Sequence, residues 1–182
     1  MELREANSRE LRRIKRIYLE AFPGKERKPF GMMKRKVRQG KMEILSLMDG
    51  KRLVGLAITV LYKDMVLLDY FAVAKDARGR NHGSGALALL KERYADRRFM
   101  LEIELLDDAA ANREERIRRK RFYLKNGMQE TGIEAMVFRV PMEVLNDGKP
   151  LTYEEYHAVY EKVIGPVFAR MVYPLNTFSF SE

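Results

Sequence analysis

The stretch Val73–Leu90, VAKDARGRNHGSGALALL, carries the chain from an apolar run into a leucine-rich helical pattern through a turn that holds Gly79, Gly83, Gly85, Arg78 and Arg80. The run before it, MVLLDYFAV (Met65–Val73), is the most apolar segment and reads as a central strand buried on both faces, with Asp69 as its one charge. The pattern after it, from about Ser84 to Tyr94, reads as a helix. A strand that ends in a glycine-rich turn opening a helix presents unpaired N–H groups at the positive end of the helix dipole, which is a ready site for phosphate. Glycine serves there because a β-carbon would hold the backbone off the phosphate and would penalise positive φ. Arg78 and Arg80 add charge. The plainer reading is a flexible surface turn with solvated arginines.

Working outward, Ser8 is the predicted N-cap of a helix in which Leu11, Ile14, Tyr18 and Phe22 recur at helical spacing, ended by Pro23-Gly24. A short basic helix follows around Phe30–Val37. Lys41–Met48 and Lys51–Tyr62 read as strands joined by an Asp49-Gly50 hairpin turn, and Lys63-Asp64 turns into the apolar strand. Beyond the glycine stretch come a strand FMLEIELL (Phe99–Leu106), a polar loop, and a very basic helix REERIRRKRFYLKNG stopped by Gly127. Met128–Gly132 and Ile133–Pro141 are expected to close a hairpin. After Pro141, Thr152 and Glu155 form a capping box for the helix LTYEEYHAVYEKVIG, and an aromatic tail ends in NTFSFSE. This order of elements gives an α+β (α/β) class: a mixed, mostly antiparallel central sheet flanked by helices, with a C-terminal helical extension.

Composition limits what the chain can do. At 182 residues and 46% hydrophobic it suits one domain with a proper core. It has no cysteine, which excludes disulfides, thiolate metal clusters and any mechanism that parks an acyl group on a thiol. No metal site is expected. The N-terminus alternates charged with apolar residues and no apolar run approaches the ~20 residues of a membrane span, so a soluble, cytoplasmic protein without a membrane partner is expected. The formal charge of +9 favours a polyanionic partner, which charge alone leaves open among nucleic acid, a membrane surface and a phosphorylated small molecule.

Neither GKS/GKT nor a dinucleotide GxGxxG spacing is present. Instead VAKDARGRNHGSGALALL resembles motif A of the GNAT superfamily of N-acetyltransferases, whose signature is Arg or Gln, two residues, Gly, one residue, then Gly or Ala. Counting from Val73 without an insertion, the signature falls on Arg78 to Gly83, with Asn81 where the family usually has its first glycine; asparagine is the best non-glycine tolerator of left-handed backbone. The other register, Arg80 to Gly85, matches the letters better but moves the loop two residues from the strand. The LEIE strand and FYLKNG also look like this superfamily, so the resemblance covers roughly residues 1–141, with 142–182 as an extension packed on the same domain. Met128 replaces a usual Phe, and Arg116 lies where many members carry Asn.

The resemblance implies an N-acetyltransferase that moves an acetyl group from acetyl-CoA to a primary amine, of a small molecule or a protein, by direct attack in a ternary complex. It places the pyrophosphate on Arg78, Gly79, Arg80, Asn81, His82, Gly83 and Ser84, and the pantetheine arm beside Phe71, Ala72 and Val73. Tyr123 resembles the tyrosine that reprotonates the leaving thiolate; its other reading is packing beside Phe122. Glu102 matches the position of a glutamate that some relatives use as base. Asp69 and Glu104 are further acceptor-side candidates, although strand carboxylates on a basic protein are often only ion-paired. His82 stands at a usually apolar position, where packing is the plainer role. The extension would cover the acceptor side or make a homodimer contact. Two other readings are a non-catalytic acyl-CoA-binding module and a basic RNA-binding protein; Arg113–Arg121 invites the latter, but the helix lacks interleaved aromatics for stacking bases.

Overall fold

The computed structural model describes residues 1–175, Lys25 by its backbone alone; the NTFSFSE tail lies outside the described residues. The chain divides into two compact units, Met1–Phe99 and Met100–Glu182.

In the first unit, β1 (Glu2–Glu5), β2 (Met42–Asp49), β3 (Arg52–Tyr62) and β4 (Met65–Val73) pair antiparallel in sequence order. Asp49 pairs with Arg52, so the expected Asp49-Gly50 signal makes a tight turn with Gly50 at φ +56°. Helices α1 (Glu10–Ala21) and α2 (Phe30–Arg38) connect β1 to β2, and α3 (His82–Arg93) follows β4. α1 lays Ile14, Ile17 and Tyr18 onto β3 and β4, and α3 buries Ala86, Leu87 and Leu90. Each fully buried leucine or isoleucine among these contributes about 1.5–3 kcal/mol.

The N-cap of α1 is not Ser8. Asn7 takes that role: its side-chain oxygen accepts from the Arg9 and Glu10 N–H groups at 3.0 and 3.1 Å, and the Glu10 carboxylate accepts in return from the Asn7 N–H at 3.1 Å. This is a reciprocal capping box read one residue earlier. Glu10 is held below the usual carboxylate range by hydrogen bonds from Ser46, Asn7 and Arg4, which outweigh its desolvation.

Two backbone features shape the end of β4. Ile58 pairs with Tyr70 and Thr59 with Leu68, so Asp69 is the extra residue of a β-bulge. A bulge bends its strand and re-aims the side chains beyond it, here Tyr70 to Val73. Next to that segment, a β-carbon on Gly55 would lie 2.4 Å from the Ala72 carbonyl oxygen and 2.8 Å from Leu47 Cδ1. Gly55→Ala is therefore expected to cost about 3 kcal/mol and to lower Tm by roughly 10 °C. A thermal melt unchanged from wild type would show that β3 and β4 can move apart freely.

In the second unit, β5 (Arg98–Glu104), which begins at the boundary, pairs with β7 (Val140–Asn146); β7 pairs with β6 (Gln129–Val137), and β6 with β8 (Val172–Pro174), all antiparallel. The expected hairpin is corrected here. The turn lies at Phe138-Arg139, both left-handed at φ +49° and +70°, and β7 runs through Pro141 to Asn146. Gly132, at φ +76°, sits instead in an irregularity of β6, where the Thr131 hydroxyl donates to the Val144 carbonyl and accepts from the Ile133 N–H. α4 (Arg113–Lys125) precedes β6, and α5 (Tyr153–Val159) follows β7 behind the predicted Thr152/Glu155 capping box. α5 continues as one π-helical turn over Tyr160–Ile164, then α6 (Pro166–Ala169) leads into β8. Tyr156, Val159 and Tyr160 are wholly buried, so this helix is part of the core of its unit. The class is the expected one: α+β, with antiparallel strand pairing flanked by helices. Among the described residues no helix is long and apolar enough to cross a membrane.

Candidate active site

The loop from β4 to α3 begins with a single 3-10 turn, Lys75–Ala77, after which Gly79 adopts φ +79° and Asn81 φ +58°. Asn81 thus takes up the left-handed conformation that its place in the signature requires. The first hydrogen bond of α3 runs from the Gly85 N–H to the Asn81 carbonyl at 3.1 Å. Between the Arg78 N–H, which donates to Lys75, and that bond, the N–H groups of Gly79, Arg80, Asn81, His82, Gly83 and Ser84 have no acceptor among the described residues. Alternation of left- and right-handed backbone turns such donors toward one concavity, and the dipole of a 12-residue helix adds positive potential. Arg78 and Arg80 are exposed beside it, and Arg78 Nε donates to the Val73 carbonyl at 3.4 Å. Phe71 and Val73 are half-buried at the end of β4, with Ala72 buried between them. These residues fit a pyrophosphate, which needs several donors and a route for close backbone approach.

His82 takes the packing role. Its ring is buried; Nδ1 donates to the Ala77 carbonyl at 2.8 Å and Nε2 lies 3.1 Å from Asp49 Oδ2. The ring braces the loop against the β2–β3 turn, and only its main chain belongs to the donor run.

Asp69 forms a buried ion pair: Lys28 Nζ lies 2.7 Å from Oδ1, with the two side chains 5% and 3% exposed, while Oδ2 has no hydrogen-bond partner. Tyr18 donates its hydroxyl to the Lys28 carbonyl, and Tyr70 donates to the Glu26 carbonyl and accepts from the Lys28 N–H. Burial raises both phenols, so both remain proton donors. Lys28 escaped the sequence reading because its partner is 41 residues away.

In the second unit, Glu102 and Glu104 share one face of β5 and meet different fates. Glu104 is held by Arg116 at 3.1 Å, Arg119 at 2.7 Å and the Asn112 amide at 3.3 Å, which is the ion-pairing role expected of a strand carboxylate. Arg116 also donates to the Leu105 carbonyl, so it ties α4 to the end of β5. Glu102, half-buried, accepts from the hydroxyls of Tyr156 at 2.5 Å and Tyr160 at 2.7 and 2.9 Å. Burial, then the adjacent Glu102 charge, push the Tyr156 phenol well above its ordinary value. Tyr123 is buried edge-on against Phe122, its hydroxyl has no hydrogen-bond partner among the described residues, and desolvation pushes it up to about 12 against a small opposing effect of Arg119.

Part of the charge on the basic helix α4 is matched in place. Arg113 pairs with Asp108 and Glu114, Arg116 and Arg119 with Glu104, and Lys120 with Glu143 and Glu130.

No curated protein sequence matches the chain at a significant level. Among solved structures, the chain is similar to a Bacteroides thetaiotaomicron protein assigned to the acetyltransferases of the GNAT family, at TM-score 0.74 and 18% identity, over 93% of this chain and 99% of that one. It is also similar to an aminoglycoside 6'-N-acetyltransferase complexed with coenzyme A, at TM-score 0.62 and 15% identity, over 83% and 100% of the two chains. A dodecameric spermidine N-acetyltransferase from Vibrio cholerae aligns at TM-score 0.63 and 12% identity, over 80% and 91%. At these identities the likeness is one of fold. The sequence model of the acetyltransferase (GNAT) family matches residues 11–128, more than half of the chain and spanning the loop and Tyr123, and the chain belongs to that family.

Proposed function

We propose that the protein transfers an acetyl group from acetyl-CoA to a primary amine by direct attack within a ternary complex. The observation that carries this reading is the run of unpaired N–H groups from Gly79 to Ser84 at the start of α3, a donor array suited to a phosphate or pyrophosphate. In this reading Arg78 and Arg80 supplement the charge, and Phe71, Ala72 and Val73 line the pantetheine arm. Glu102 faces the acceptor and takes up or directs the ammonium proton, whereas Asp69, buried against Lys28, keeps the ion-pairing role. The amine nitrogen bonds to the thioester carbon, the C–S bond breaks, Tyr123 gives its proton to the departing sulfur, and the second proton shed by the nitrogen as the amide forms restores the Tyr123 hydroxyl, directly or through water. With no cysteine in the chain, no acyl-thiol enzyme intermediate is available.

The ion pairs along α4 weigh against RNA as the partner, since cations already matched by fixed carboxylates release fewer counterions on binding a polyanion. A CoA-thiol release assay against a panel of primary amines, run beside native mass spectrometry with CoA, tests the proposal. Thiol release that depends on one amine class is the expected result. CoA binding without release on any amine would favour the non-catalytic module, and absence of CoA binding would defeat both.

A further inference from the structure

We infer that Tyr156 and Tyr160, on the helix of the C-terminal extension, are positioning residues that fix the orientation of the Glu102 carboxylate toward the acceptor amine. The inference rests on the reading of Glu102 given above. Both tyrosines are wholly buried, so neither can meet a substrate directly, whereas Glu102 is only half-buried. Their hydroxyls converge on one oxygen, Oε1, and Tyr160 also reaches Oε2. Contacts to both oxygens fix the plane of the carboxylate as well as its position, which a single hydrogen bond would not do.

The extension is built to hold that geometry. Tyr156 and Tyr160 are four residues apart and so lie on one helix face. Their rings meet edge to face at 5.8 Å, Tyr160 packs on Phe138 at 6.0 Å, and Tyr153 packs on Tyr156 at 6.0 Å. The Thr152/Glu155 capping box sets where the helix starts, and the π-helical turn begins at Tyr160 itself, the residue after the regular helix ends at Val159. π-helical turns cluster at functional sites because they place a side chain that regular helix would misdirect. Burying two phenols against a carboxylate also carries a desolvation cost that two phenylalanines would avoid.

The test compares Tyr156→Phe, Tyr160→Phe and the double variant with Glu102→Gln and with Tyr153→Phe, whose hydroxyl bonds the Val172 carbonyl and not Glu102. The expected result is a fall in kcat/KM of about fivefold per lost hydroxyl. In addition, the acid limb of the pH profile should move to higher pH, because a carboxylate that loses donors to its charged form binds a proton more readily. Tyr153→Phe should leave the limb where it is, whatever it does to Tm. If Glu102→Gln is impaired while the folded Phe variants keep the wild-type kcat/KM and limb, the tyrosines are packing residues and the inference is overturned with the role of Glu102 intact. Should the double variant fail to fold, the single variants decide by the same readout. Wild-type activity in Glu102→Gln would overturn the role of Glu102 itself, and the inference with it.

Discussion

Replacing Gly83 by valine is expected to raise the Kd for acetyl-CoA at least tenfold while leaving the protein folded. Gly83 is the second residue of α3, half-buried, in the middle of the unpaired N–H run, and its φ is not positive, so valine meets no left-handed strain there. The cost falls on the ligand. A branched β-carbon stands where a phosphate oxygen must approach within about 3 Å of the main-chain nitrogen, and it shields the donors on either side. Tenfold corresponds to about 1.4 kcal/mol, roughly one charge-assisted hydrogen bond. Titration calorimetry measures the change. Unchanged affinity in a folded variant would remove this loop from the acyl-donor site.

How much of this site could be read from the sequence depended on the range of the interactions that define it. The loop was legible because its geometry is local: Gly79 and Asn81 stand at the two left-handed positions, and the helix starts within two residues of where the apolar pattern places it. The Asp49-Gly50 turn and the Thr152/Glu155 box were legible for the same reason. Local signals also misled where two competed. Ser8 and Asn7 are both good caps, and Asn7 prevails because Glu10 stands three residues beyond it and closes the box. Gly132 drew the hairpin turn to itself, although the chain turns at Phe138-Arg139, where two residues without glycine's freedom accept positive φ in return for strand pairing on both sides. The carboxylates show the opposite limit. Asp69, Glu102 and Glu104 look alike as strand residues, and they are separated only by partners 41, 54 and 15 positions away: Lys28, Tyr156 and Arg119. Nothing within a strand-length window distinguishes a carboxylate held by two phenols from one held by two guanidinium groups. The bulge at Asp69 was invisible for a similar reason, since it exists only in the register between β3 and β4.

Tyr123→Phe is expected to lower kcat by roughly 10²-fold with little change in Tm or in acetyl-CoA affinity. The substitution keeps the buried ring and its edge-on contact with Phe122 and removes only a hydroxyl that bonds to no described residue, so no buried partner is left unsatisfied. The acidity of the group bears on how it would donate. Burial pushes the phenol up to about 12, which keeps it protonated throughout the neutral range and makes it a weak acid. A free thiol lies lower, at about 8.5, so complete proton transfer from the buried phenol to a free thiolate is uphill when each group is taken alone. In the proposed mechanism a thiolate leaving beside Tyr123 would meet the same desolvation, which narrows that gap, so the tyrosine would help by donating as charge develops rather than by surrendering its proton early. A thiolate can leave unaided more slowly, which places the loss at the lower end of what a general acid contributes and not at abolition. The hydroxyl also stays protonated as pH rises through 9 and 10, so any basic limb found there belongs to another group and should persist in Tyr123→Phe. Single-turnover acetylation of the best acceptor, with chemistry shown to limit the rate, is the deciding measurement. A wild-type rate would make Tyr123 a packing residue and leave the departing thiolate without a proton donor from this chain.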